Sequence, residues 1–298
     1  MITGIAAGIL TIIFQPLAYL FSRVYTMRGG PVLELLVYSH IIMGVFSLAV
    51  MLFFLPGFDF NSAVCLRLTG CVLTFLAGQG CYFMTVKLME PSRLTTLLGQ
   101  KLIFLVLLNM IFFNASVGFA HWIAVILCVA AAFVMNQSGG RISLKALFAV
   151  MLSCLFLAGS DIMDMLLVKA MPYQDIIQSG IAATALCYSA LGLVVLPAFF
   201  FIKFDHKKAV LAIPYSISWL LAMVTLFICF GILGTVFANI LQSGRALVQV
   251  ILGSCVAYFG FASIEPKALK RQWLCRLTAA VMITAAVAVY VLSGDPVH

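Results

Sequence analysis

The chain has 298 residues, of which 64% are hydrophobic and 9% charged, and a formal net charge of +8. A water-soluble chain carries about 25% charged residues, so there is too little polar surface here to cover a globule. A soluble enzyme, a disordered chain and a secreted disulfide scaffold are excluded, leaving an integral membrane protein.

A spanning helix needs about 20 apolar residues. Runs of that length predict spans near 2–21, 33–55, 66–86, 94–113, 118–135, 146–167, 176–201, 215–233, 236–260 and 274–293. Barrel strands would be about 10 residues long and alternate in polarity, and these runs do neither. The first run lacks a basic stretch before it and reads as a retained span, not a signal peptide. Most separators carry Pro, Gly or charge, as in Arg23 to Pro31, Lys87 to Arg93 and Lys203 to Pro214. The weakest is the glycine break at Gly231 to Gly234. Residues 216–261 hold one charge, Arg245, but are too many for one span. The expected fold class is an all-α integral membrane protein of ten transmembrane helices.

Asn136-Gln137-Ser138-Gly139-Gly140 is the most linker-like segment and divides the spans into five plus five, which predicts units at 1–138 and 139–298. Lys101, in the fourth span, lies 144 positions before Arg245, in the fourth span of the second half. An odd number of spans per half turns the second copy upside-down, an arrangement common among secondary transporters. Loops after odd-numbered spans hold 13 Lys and Arg residues, and loops after even-numbered spans hold 2, Arg67 and Lys169. The positive-inside rule then places the protein in the cell's inner membrane with both termini away from the cytoplasm.

Charged side chains inside spans cost about 2.5–3.5 kcal/mol each when they face lipid, so Lys101 and Arg245 are the informative residues. Asn239, Gln242, Arg245 and Gln249 share one helical arc. Ser153, Ser160, Asp161 and Asp164 share another, and Thr11, Gln15, Tyr19 and Ser22 a third. Three polar stripes imply a hydrated interior. The bland readings are that Lys101 and Arg245 are structural, that Asp161 and Asp164 pair with Lys169, and that the first stripe is helix–helix hydrogen bonding. Glu34, at a span start, suits the helix dipole. His40 and His121 are isolated and are not expected to be ligands. Gly70, Thr74 and Gly78 predict close helix packing, and Pro16 and Pro197 predict kinks.

The nine cysteines form no CxxC, and seven lie in apolar runs, where Cys behaves as a small hydrophobe. No metal, cofactor or enzymatic role is expected: HExxH, Gly-x-Ser-x-Gly, a P-loop and a potassium-type filter are all missing. Neither a basic amphipathic face nor aromatic interleaving points to nucleic acid.

The five-plus-five layout, Pro91-Ser92 leading into the fourth span through Leu97 and Leu98, and Ala246 to Gly253 followed by Glu265-Pro266 carry a resemblance. Together they resemble the drug/metabolite transporter superfamily, in its ten-span EamA-like branch. That resemblance implies a secondary carrier of amino acids, sugars, nucleotide sugars, organophosphates, cations or drugs, with a cavity lined by both repeats. The family motif often has proline near where Lys101 and Arg245 fall; the two cations are closer to phosphate-exchanging and organic-anion members. The family layout implies cytoplasmic termini, which the charge count opposes.

The expected function is transport of a small polar metabolite with an anionic group, by alternating access. Lys101 and Arg245 would bind the anion, with Asn239, Gln242, Gln15 and Tyr19 hydrogen-bonding the substrate. Asp161 or Asp164 would couple a proton or counter-substrate. The alternatives are an exporter of organic amines or drugs using Asp161 as cation site, or a scaffold or lipid-handling protein without a solute cavity.

Overall fold

The computed structural model describes residues 1–56, 58, 60–86, 94, 97–114, 118–136, 143–258 and 270–292, all helical or connecting. In chain order the helices are α1 (Ile2–Met27), α2 (Val32–Phe54), α3 (Ser62–Val86), α4 (Lys101–Phe113), α5 (Phe119–Asn136), α6 (Leu144–Ala170), α7 (Ile176–Val195), α8 (His206–Leu233), α9 (Thr235–Ser243), α10 (Arg245–Tyr258) and α11 (Lys270–Leu292). Short 3₁₀ turns cover Leu98–Gln100 and Leu196–Phe201.

By length and composition, seven helices among the described residues can cross a membrane, at Ile2–Met27, Val32–Phe54, Ser62–Tyr82, Leu144–Ala170, Ile176–Phe201, His206–Leu233 and Thr235–Val256. The expected spans near 94–113, 118–135 and 274–293 contain shorter apolar helices, Leu98–Phe113, Trp122–Ala131 and Trp273–Ala286. The Pro91-Ser92 connection, the Gly139-Gly140 linker and Glu265-Pro266 lie outside the described residues. Pro197 does not kink a helix. It opens the 3₁₀ turn in which α7 ends, because a residue without an N–H fits a first turn and not an interior. The glycine break is a sharp stop: α8 ends at Leu233, and Gly234 adopts φ +76° before α9 begins. Only a residue without Cβ takes that conformation readily.

The chain contacts divide into two compact units, Met1–Leu73 with Ser160–Leu233 and Thr74–Gly159 with Gly234–His298. In the first unit α1 packs on α8, and α2 packs on α7 and α8. Gly44 and Gly192 meet backbone to backbone: a Cβ on either would stand 2.8 Å from the other's Cα. Such small-residue crossings replace the hydrophobic drive that lipid does not supply. Thr11 hydroxyl shares a 2.8 Å hydrogen bond with Thr225, tying α1 to α8. Trp219 is the hub of an aromatic cluster. Its indole N–H donates to the Tyr188 hydroxyl at 2.8 Å, Tyr215 stacks on it, and Tyr19 meets it edge-on.

The helix ends of this unit are fastened by side chains that satisfy exposed backbone groups. Asn61 and Asp175 cap α3 and α7, and Tyr173 hydroxyl donates to the Phe54 carbonyl at the end of α2. Asp205 accepts the N–H groups of Lys207 and Lys208. Glu34 suits the first turn of α2 as expected, and it also pairs with Lys208 at 2.7 Å. Tyr38 hydroxyl takes the Asp205 N–H at 2.9 Å and reaches the Lys203 carbonyl at 3.4 Å.

In the second unit α5 packs on α11, and α9 contacts α4 and α11. Leu102, Val106, Ala124, Val125, Val236 and Ile240 build one apolar cluster, and Leu94, Leu97, Leu98, Val150 and Cys154 another. The small-residue series of α3 faces α6, as its spacing predicted. A Cβ on Gly78 would meet Leu157 at 2.8 Å, Thr74 lies against Gly159, and in the first unit Gly70 lies against Met163. Ser153 hydroxyl donates to the Gly78 carbonyl at 2.9 Å.

Candidate functional site

Lys101 and Arg245 each open a helical segment after a tightened turn. The 3₁₀ turn Leu98–Gln100 runs directly into Lys101, the first residue of α4. At the other position Gly244 N–H bonds to Leu241 O (2.9 Å) and Leu247 N–H to Gly244 O (3.0 Å), both three residues back. The local cause is visible in the residue types. Glycine weakens a helix interior, and both turns contain one, Gly99 and Gly244. The Ser243 hydroxyl also bonds back to the Ile240 carbonyl, which loosens the regular ladder.

The two cations are buried, at 7% and 6% exposure, and line one small cavity in the second unit with Gly99, Asn239, Gln242 and Ser243. Lys101 Nζ donates to Gln242 Oε1 at 3.1 Å. Asn239 donates its amide N–H to the Thr235 carbonyl at 2.9 Å. Its Oδ1 is buried and has no hydrogen-bond partner among the described residues; Gln249 Oε1, one turn past Arg245, is in the same position. An unsatisfied buried acceptor costs about 1–3 kcal/mol; of the two, Asn239 lines the cavity. Helix starts carry positive potential, and the two buried cations add to it. The free volume is about 10 Å³, about what one water needs.

The remaining sequence-selected residues belong to the first unit. Gln15 (2% exposed) and Tyr19 (6%) lie on the face of α1 that packs on α8, beside Thr11. There Thr11 and Tyr19 meet Thr225 and Trp219, so part of that stripe ties one helix to another. Asp161 and Asp164 are both buried, at 5% and 2%. His40 is buried on α2 with its Nδ1 2.8 Å from the Leu36 carbonyl, one turn back. The grouping that spacing could not reveal is Cys71, Asp164 and Cys187, whose ligand atoms all lie within 4.8 Å of one another. No interval between them has a recognisable motif, so only the packing of three helices shows it.

Residues 2–137 match the EamA-like transporter family. No curated protein matches this sequence. A solved crystal structure aligns with a TM-score of 0.64 at 15% identity, over 95% of this chain and 96% of that one. At that identity the likeness is one of fold.

Proposed function

Because residues 2–137 match the EamA-like transporter family, we propose that the chain is a membrane carrier of the drug/metabolite transporter type that moves a small polar metabolite with an anionic group. Amino acids, organic acids and organophosphates are the candidate classes. The observation that carries this reading is the pair of buried cations, Lys101 and Arg245, lining one cavity at the starts of two helical segments. Two like charges in a poorly polarisable interior repel, and a carboxylate or phosphate between them relieves that repulsion. Arg245 offers a planar fork and Lys101 a point charge. Asn239 Oδ1 would accept from a hydroxyl or ammonium group of the same substrate. Gln242, Gln15 and Tyr19 complete the proposed hydrogen-bonding set, and Asp161 or Asp164 would exchange a proton during the cycle.

The proposed mechanism is alternating access between two inverted five-helix repeats, 1–138 and 139–298. Support comes from the helix partnerships. With α9–α10 counted as the ninth span, exchanging each span with the one five places on maps several partnerships onto one another. First with eighth becomes sixth with third, while second–seventh, fourth–ninth and fifth–tenth map onto themselves, and these contacts are present; the contacts of the eighth span with the second and seventh are outside this correspondence. For orientation we propose both termini away from the cytoplasm, for which a C-terminal fluorescent fusion would be dark and a phosphatase fusion active.

The deciding experiment is a thermal-shift screen of purified protein against amino acids, phosphorylated metabolites and organic amines, since a ligand of the native state raises apparent stability. An anionic metabolite is expected to stabilise the wild type and not Lys101→Met or Arg245→Met. Unchanged affinity in both variants would remove the anion site and favour an amine carrier using Asp161. Asp161→Asn and Asp164→Asn are expected to flatten the pH dependence of uptake at one position or the other; unchanged profiles in both would make these carboxylates structural.

A further inference from the structure

Cys71 on α3, Asp164 on α6 and Cys187 on α7 come from three helices of the first unit, and all three side chains are buried, at 0%, 2% and 3% exposure. Their sulfur and oxygen ligand atoms lie within 4.8 Å of one another. The convergence is held by packing at the same level: Gly70, beside Cys71, lets α3 approach Met163, beside Asp164, so closely that a Cβ there would stand 2.9 Å from the Met163 sulfur. We propose that these three residues form a binding site for a thiophilic divalent cation of the zinc and cadmium class.

The donor set selects the ion. Two sulfurs and one carboxylate are ligands that zinc-type ions take at about 2.3 Å for sulfur and about 2.0–2.2 Å for oxygen. Ligand atoms at those bond lengths stand about 4 Å apart around the ion, so small side-chain rotations close the site. Magnesium and calcium need near-complete oxygen shells, which one carboxylate cannot supply. Three protein ligands also leave a fourth position open, the arrangement of exchangeable and not sealed zinc sites.

Charge balance permits binding in an apolar interior. With the Asp164 carboxylate ionised, the ion displaces the two thiol protons to solvent: two S–H bonds break, two metal–sulfur bonds and one metal–oxygen bond form, and the ion sheds water ligands in their place. The site's net charge is the same before and after. Burying a net charge is what makes ion sites in such surroundings expensive, and this exchange avoids it. The site shares no residue with the Lys101–Arg245 cluster and does not depend on the anion reading, so failure of either leaves the other intact; with Asp164 as a ligand, proton exchange falls to Asp161.

Cadmium is the probe, because its bonds to thiolate absorb in the near ultraviolet. Full-length protein, purified in detergent and kept reduced, is titrated with Cd²⁺ at fixed pH. The wild type is expected to bind one Cd²⁺ that Cys71→Ser and Cys187→Ser each lose, releasing two protons per ion. Asp164→Asn is expected to keep the thiolate absorption and weaken affinity at least tenfold. In the wild type, cysteine alkylation is run long enough that Cys71 and Cys187 both react without metal. Cd²⁺ is then expected to protect these two cysteines while leaving Cys229 as reactive as before. Equal Cd²⁺ stoichiometry in both serine variants, or unprotected Cys71 and Cys187 in the wild type, would overturn the proposal. The alkylation result decides even where a serine variant does not fold.

Discussion

The two units use their helices in opposite ways. In the first, α1, α2, α7 and α8 run 26, 23, 20 and 28 residues without a break, and they cross on glycines and around Trp219. In the second, the chain around the cations comes in pieces of 13, 9 and 14 residues, the last two joined through Gly244. Long, well-crossed helices are what holds a bundle together in lipid. Broken helices lower stability, and they are tolerated where they face a cavity. The comparison teaches that long helices crossing on small residues and short helical segments around buried cations are carried by different stretches of the same chain.

Substitutions can break or sharpen that contrast. The largest effect is expected at the glycine crossing of the first unit. Gly44→Leu drives a side chain into the Gly192 backbone and is expected to cost about 3 kcal/mol, read as a drop in apparent unfolding temperature and loss of monodisperse protein in detergent. Next comes Trp219→Phe, which removes the indole N–H that Tyr188 receives; a loss of about 1–3 kcal/mol is expected. In the second unit Asn239→Leu removes the unpartnered oxygen and is expected to leave stability within about 1 kcal/mol of wild type, while uptake of the native substrate is lost. A large destabilisation there would show that Asn239 serves packing, and the contrast between the units would fail. The smallest effect is expected at Gly80, where a Cβ meets nothing within 4 Å; Gly80→Ala should gain about 0.5–1 kcal/mol by restricting the unfolded chain.

Much of this was legible in the residues alone, for a definite reason. Apolar run length and helical periodicity are one-dimensional information, so they located the seven helices long enough to cross a membrane, the polar stripes and the 144-position relation of Lys101 to Arg245. They also located the Gly70, Thr74 and Gly78 face that packs on α6. What they could not give is which stripe meets which. The Thr11 stripe reads in the sequence either as cavity lining or as helix–helix hydrogen bonding, and only the packing shows Thr11 and Tyr19 meeting α8 through Thr225 and Trp219. The Gly44–Gly192 crossing and the Cys71, Asp164 and Cys187 cluster depend on helices far apart in the chain and leave no local signature. The turns before Lys101 and Arg245 were hidden for another reason: Leu-rich flanks with a single glycine read as continuous helix.

The clamp made by Tyr38 bears on how this molecule can be handled. Positions 203–205 look, from their charge and exposure, like a natural place to insert an epitope or a protease site. Yet the Asp205 N–H and the Lys203 carbonyl are both engaged by one hydroxyl from α2, with the Glu34–Lys208 pair beside it. Tolerance to insertion follows from how little of the local backbone is held, not from how polar the segment is. A tag placed there would unfasten α8 from α2, and a failure of the tagged protein to reach the membrane would say nothing about which side of the membrane the loop occupies.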